Sequence, residues 1–176
     1  MTRFRVRAIT ETAMCTAAAL ILSYVESLLP FNAVIPIPGF RIGLSNIAVL
    51  YLFYESKARS LVVLILKVLL SAFMFGSGIS LLFSISGGLL SFCMMLAADQ
   101  IMKDRISYVG LSTIGGVFHN MGQLIVASAI IGLSAAYTYA PFLILAGVIS
   151  GACCGLLLNC FAERLKGAIK HSEKTI

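Results

Sequence analysis

The stretch Lys57-Ala58-Arg59-Ser60-Leu61-Val62-Val63-Leu64-Ile65-Leu66-Lys67-Val68-Leu69-Leu70-Ser71-Ala72-Phe73-Met74-Phe75 decides the class of this protein. From Ala58 to Phe75 it is close to the roughly 20 apolar residues that a membrane-spanning helix needs. Two cations, Lys57 and Arg59, stand at its start, and a third, Lys67, stands inside it. The first two suit a cytoplasmic connection, where Lys and Arg gather. Lys67 does not, because a charge at the centre of a membrane helix costs about 2.5–3.5 kcal/mol even on lenient insertion scales. A residue kept at that cost marks a candidate functional site.

The rest of the chain extends the pattern. Hydrophobic residues make up 60% of it and charged residues 11%, with a mean hydropathy of +1.01, which places all 176 residues in one integral membrane domain. Candidate spans are Ala8–Leu29, Gly43–Tyr54, Ala58–Phe75, Leu81–Met102, Tyr108–Leu133 and Tyr139–Ala162. The second is about 18 Å long and cannot cross a ~30 Å hydrocarbon core alone, so chain dipping in from outside must reach its start. Arg3, Arg5 and Arg7 ahead of the first run resemble the start of a secretory signal. That run is as long as a span and has no small-x-small cleavage site near its end, so it reads as a retained helix.

Of the thirteen Lys and Arg residues, all but Arg41 and Lys67 fall before span one, between spans two and three or at the very start of span three (Lys57 and Arg59), between spans four and five, or after span six. The connections after spans three and five are uncharged. This alternation predicts an all-α, six-transmembrane-helix bundle with both termini cytoplasmic, a multi-pass protein of the plasma membrane. The net charge of +6 is thereby a topology signal; no basic stripe interleaved with aromatics suggests nucleic acid. The five cysteines lie in apolar segments without CxxC spacing, so neither a zinc site nor a disulfide framework is expected.

The outer loop Pro30–Ile42 carries three of the four prolines and so reads as a stiff irregular element. It leads through Arg41 into Gly43-Leu44-Ser45-Asn46, where a helix N-terminus would expose N–H groups and partial positive charge. Depth arithmetic brings Arg41, Asn46, Lys67, His119, Asn120 and Gln123 to the middle and outer half of the membrane, with Glu26 near the outer end of span one. His119, Asn120 and Gln123, at i, i+1 and i+4, share a helix face about 100° wide. They are read as lining one outward-opening pocket for a small anionic or strongly hydrogen-bonding molecule. Duller readings stand beside this one. The two amides and the imidazole tie helices together in many bundles, at about 0.6–2 kcal/mol each. Lys67 pairing with Glu26 would be a buried ion pair, and Arg41 can snorkel to headgroups. Asp99, Gln100 and Asn159 read as interfacial. Phe31, Phe40, Phe73, Phe75 and Phe83 read as an outer aromatic belt or a pocket wall.

Several chemistries lack their residues. There is no Walker A loop, no HExxH, no GxSxG and no Asp-rich pair to hold Mg²⁺ against a diphosphate, so no catalytic residue, cofactor or metal is expected. Small residues recur at helix-packing spacing, most fully in Gly147-x-x-x-Gly151-x-x-x-Gly155, and Ala13-x-x-x-Ala17 offers either packing or partner docking.

At Pro38-Gly39-Phe40-Arg41-Ile42-Gly43-Leu44-Ser45-Asn46 and at Gly116-Val117-Phe118-His119-Asn120-Met121-Gly122-Gln123, the chain resembles a family of small bacterial membrane proteins. That family is labelled heptaprenyl diphosphate synthase component I, or Gx transporter. The likeness runs from about Arg7 to Gly167 and includes Lys67-Val68-Leu69-Leu70, where the family carries a basic residue. The family is similar to the substrate-binding S components of energy-coupling-factor vitamin transporters. The resemblance implies six helices, cytoplasmic termini and a pocket toward the outer face gated by outer loops. It also implies docking through Ala13 and Ala17 onto a membrane coupling subunit that works with ATPases. A non-catalytic membrane role in polyprenyl diphosphate or quinone synthesis is the alternative it carries.

Overall fold

Short polar breaks cut the apolar chain into helices, and three of them use a serine for the cut. The computed structural model describes residues 2–28 and 43–173, with side chains over 6–28 and 43–161 except 104 and 135. Ser56, Ser77 and Ser107 are each extended, and their side chains accept a hydrogen bond from the backbone of Arg59, Ser80 and Gly110. Each thereby satisfies one of the N–H groups a helix start leaves without a partner. The helices are α1 (Thr2–Leu28), α2 (Asn46–Glu55), α3 (Lys57–Phe75), α4 (Gly78–Met102), α5 (Tyr108–Ile131) and α6 (Leu133–Glu173). A 3-10 turn, Lys103–Arg105, joins α4 to α5.

Among the described residues there are no strands, and five of the six helices are long and apolar enough to cross a membrane. The exception is α2, whose 10 residues reach only about 15 Å. Large apolar side chains point outward, Phe73 being 91% exposed, as suits a protein whose surroundings are hydrocarbon. Phe83 is buried instead, in a cluster with Ala127 and Leu143, so the two phenylalanines do not belong to one belt.

Several boundaries differ from those read in the sequence. Gly43 does not begin α2; at φ +90 it lies in a turn, and Asn46 N–H donating to the Gly43 carbonyl closes that turn. Helix α4 starts three residues early because Ser77 caps it. The largest correction concerns the last connection. Gly132 alone separates α5 from α6, at φ +87, a conformation cheap only for glycine. Helix α6 then runs 41 residues, through Pro141, far beyond the Tyr139–Ala162 expected.

Glycines set the closest helix contact. A Cβ on Gly116 would stand 2.3 Å from the Gly147 carbonyl oxygen, one on Gly151 2.5 Å from that of Ser112, and one on Gly155 2.5 Å from the Val109 Cα. The Gly147–Gly151–Gly155 stripe is therefore the seam between α5 and α6. The main core lies where α1, α2, α3 and α4 meet the starts of α5 and the end of α6, around Leu52, Phe53, Val63, Phe92, Leu111 and Leu158.

Ion pairs gather at one end. Glu11 is held by Arg7 at 3.1 Å and by Arg59 at 2.8 Å, and Lys57 meets Asp99 at 2.9 Å. Such partly exposed pairs add about 0–1 kcal/mol each. Their value here is positional: the beginnings of α1 and α3 and the ends of α2 and α4 share a level.

Candidate functional site

The short helix α2 creates the site, because its N-terminus falls among the spanning helices rather than at the protein's edge. Four elements hold that start. The Glu26 carboxylate, 2% exposed near the end of α1, accepts the Gly43 N–H. Lys67, ten residues into α3 and 4% exposed, donates from Nζ to Ser45 Oγ at 2.8 Å and to Asn46 Oδ1. From α5, His119 comes within contact of Gly43: a Cβ there would stand 3.6 Å from His119 Nε2. From α4, Gly87 leaves room for the imidazole, since a Cβ on it would lie 3.0 Å from Nδ1 and 2.7 Å from the His119 carbonyl.

Gln123, one turn along α5, places Nε2 3.0 Å from His119 Nε2. The direction of that hydrogen bond follows the imidazole tautomer: with the ring proton on Nδ1, the Gln123 amide N–H donates to Nε2. Glu26, Ser45, Lys67 and His119 line one cavity of about 10 Å³, together with Ser23, Ser71 and Ser84. An adjoining cavity of about 30 Å³, which also touches Gly43 and Leu64, is lined by Asn46, Ser91, Ser112 and Ser150. These are spaces on the scale of single waters. A carboxylate, an ammonium, an imidazole and two amides thus meet a helix start inside the apolar layer. That set can bind and orient a polar or anionic group.

The site residues expected from sequence fall into three sets. Glu26, Asn46, Lys67, His119 and Gln123 converge. Asn120 faces elsewhere: its Nδ2 donates to the Leu143 carbonyl at 2.7 Å and ties α5 to α6. Neighbours at i and i+1 stand 100° apart on a helix, which is enough to send His119 toward α2 and Asn120 toward α6. Arg41, and the loop Pro30–Ile42 with it, lies outside the described residues. Sequence reasoning pointed to the N–H groups of the Gly43–Asn46 stretch, but it missed Ser45 as an acceptor for Lys67 and the room given by Gly87. Serines and glycines of this kind also serve ordinary helix packing, so nothing in the sequence separated them from the rest.

Ala13 and Ala17 are exposed on α1. They line an apolar groove of about 800 Å³ between α1 and α3, with Leu20, Val62 and Leu66 along it and Arg59 at one end.

No curated protein and no solved structure matches the chain. A family model does, that of heptaprenyl diphosphate synthase component I, over residues 15–161, which take in α2, Lys67, His119 and Gln123. This long apolar chain, with its short inner helix and its buried Lys67, belongs to the heptaprenyl diphosphate synthase component I family.

Proposed function

We propose that this protein is the substrate-binding membrane subunit of an energy-coupling-factor type transporter, taking a small anionic or polar molecule from the outer side of the plasma membrane. In this reading the chain is one membrane domain and both termini are cytoplasmic. The shared level of Arg7, Lys57 and Arg59 supports that orientation, because Lys and Arg collect on the cytoplasmic side. The observation that carries the function is the meeting of Glu26, Lys67, His119 and Gln123 around the start of α2. A half-length helix whose N-terminus lies at membrane depth is a recurrent way to receive an anion, through its N–H groups and partial positive charge. Lys67 adds a full cation at the same place. Arg41, two residues ahead of Gly43, belongs to the proposed site as a second cation, and Asn120 supports it by fixing α5 against α6. The exposed face with Ala13 and Ala17 docks the membrane coupling subunit, whose ATPases supply the energy.

Native mass spectrometry of the purified protein and of Lys67→Met tests the reading. A small polar or anionic molecule should accompany the wild type and be absent from the variant. A variant that keeps the molecule overturns the assignment.

A second reading has its own support. The family description and the laterally open groove of about 800 Å³ between α1 and α3 suit a non-catalytic membrane component of polyprenyl diphosphate or quinone synthesis, with an isoprenoid tail along the groove. A polyprenyl diphosphate or a synthase subunit co-purifying in place of a small molecule would establish it.

A further inference from the structure

The end of the bundle that carries the ion pairs holds another cavity, of about 360 Å³, separate from the Lys67 cluster. Its walls are Tyr54 from the end of α2, Asp99 and Lys103 from the end of α4, Ser107 and Tyr108 from the start of α5, and Asn159 from α6. Asp99 brings no free negative charge, because Lys57 neutralises it at 2.9 Å. The Lys57 ammonium is itself committed, lying 3.7 Å above the Phe53 ring.

Lys103 is different. Among the described residues it is the one non-glycine residue with positive φ, at +49, and none of their ion pairs includes it. An L side chain in that region is strained, and such strain survives where the surroundings fix it, often at binding sites. Lys103 thus brings an exposed cation to the lining of a cavity that also holds hydrogen-bonding groups, the Lys57-paired Asp99 and the apolar Ile106 and Val109. Ser107 Oγ accepts the Gly110 N–H at 3.0 Å, which leaves its own proton to donate. The Tyr54 and Tyr108 rings meet edge to face, 4.3 Å between centroids, and form an aromatic wall with a hydroxyl on each ring. Asn159 adds an amide.

We propose that this cavity binds the phosphate of an anionic ligand at the membrane surface, with Lys103 as its charged contact and Ser107, Asn159 and the two tyrosines as hydrogen-bonding partners. Asp99 lines the cavity without a net repulsion of the anion, since Lys57 offsets its charge. Two sources supply that chemistry: the headgroup of an anionic phospholipid, or a phosphate-bearing solute on the same side. The site is independent of the transport reading, because no residue of the Lys67 cluster lines it.

The test uses the full chain and its Lys103→Gln, Lys103→Gly and Arg7→Gln variants, in nanodiscs of phosphatidylcholine with and without phosphatidylglycerol. Native mass spectrometry reads retained lipid, and thermal unfolding in detergent with added inorganic phosphate or pyrophosphate reads a soluble anion. The wild type should retain phosphatidylglycerol if the source is lipid, or be stabilised by the inorganic anion if it is soluble. Either binding should weaken about tenfold in both Lys103 variants and stay unchanged in Arg7→Gln. Lys103→Gly guards against misfolding, since glycine adopts positive φ freely and removes only the cation. No binding of either kind in the wild type overturns the site. So does a loss no larger in the Lys103 variants than in Arg7→Gln.

Discussion

Lys67 Nζ donates to Ser45 Oγ at 2.8 Å, so the middle of α3 holds the turn from which α2 starts. The bond joins a residue that membrane insertion disfavours to a helix too short to cross. Each explains the other. Helix α2 needs an internal anchor for its open N-terminal end, and Lys67 needs acceptors, which Ser45 and Asn46 supply.

That coupling is measurable. Hydrogen bonds to charged groups contribute about 1.5–3 kcal/mol, and partners in one network are not additive. Lys67→Met and Ser45→Ala, studied singly and together by reversible unfolding in bicelles, should each destabilise the protein. The double variant should lose clearly less than the sum. Additive losses would mean that the bond contributes nothing to holding α2.

The seam between α5 and α6 makes a contrasting pair of substitutions. Gly116→Ala drives a methyl to 2.3 Å from the Gly147 carbonyl oxygen, and overpacking of this kind costs about 1–3 kcal/mol. Gly78→Ala meets nothing within 4 Å at the first position of α4, where reduced freedom of the unfolded chain should give about 0.4–1 kcal/mol of stabilisation. Thermal unfolding of the two variants should therefore shift in opposite directions.

Orientation is tested by labelling. In a background without the five cysteines, Arg105→Cys should react with an impermeant thiol reagent only after permeabilisation, and Ser134→Cys should react in intact cells. The reverse pattern would invert the topology and move the Lys67 cluster to the other leaflet.

Ala13→Trp separates docking from internal packing. Ala13 and Ala17 are exposed, so the isolated protein should keep its stability to within about 0.5 kcal/mol. Complex formation with a coupling subunit, read by co-purification, should be lost. Unfolding of the isolated protein would show that this face is needed for the fold itself.

Much of the fold was legible because hydrocarbon imposes strong rules. Apolar runs of fixed length gave the helices, and Lys67 and Glu26 stood out as charges in apolar surroundings. Glycine spacing in α6 read correctly as packing, since Gly147, Gly151 and Gly155 abut α5. The direction of Asn120 was not legible. Whether a residue one step from His119 joins the same cavity depends on where the neighbouring helices lie, which the periodicity of one helix does not contain. The single-residue break at Gly132 was hidden for a related reason. Leu133 to Thr138 holds mainly small and polar residues between two apolar runs and so read as a connection, yet it is the first part of α6. The interfacial reading of Asp99 did not name its partner Lys57, because that pairing depends on the meeting of the α4 end with the α3 start.

The length of α6 has a mechanical consequence. Beyond Phe161 and Ala162 the sequence turns charged at Glu163 and Arg164, while the helix continues to Glu173, about 18 Å past Phe161. Membrane helices tilt by up to about 40°, and a rigid rod converts tilt into sideways travel. A bundle leaning by about 30° would carry the tip of this rod about 9 Å across the membrane surface relative to where the rod leaves the bilayer. Helix α6 thus carries any lean of the buried bundle out to its tip in proportion to the length that leaves the bilayer.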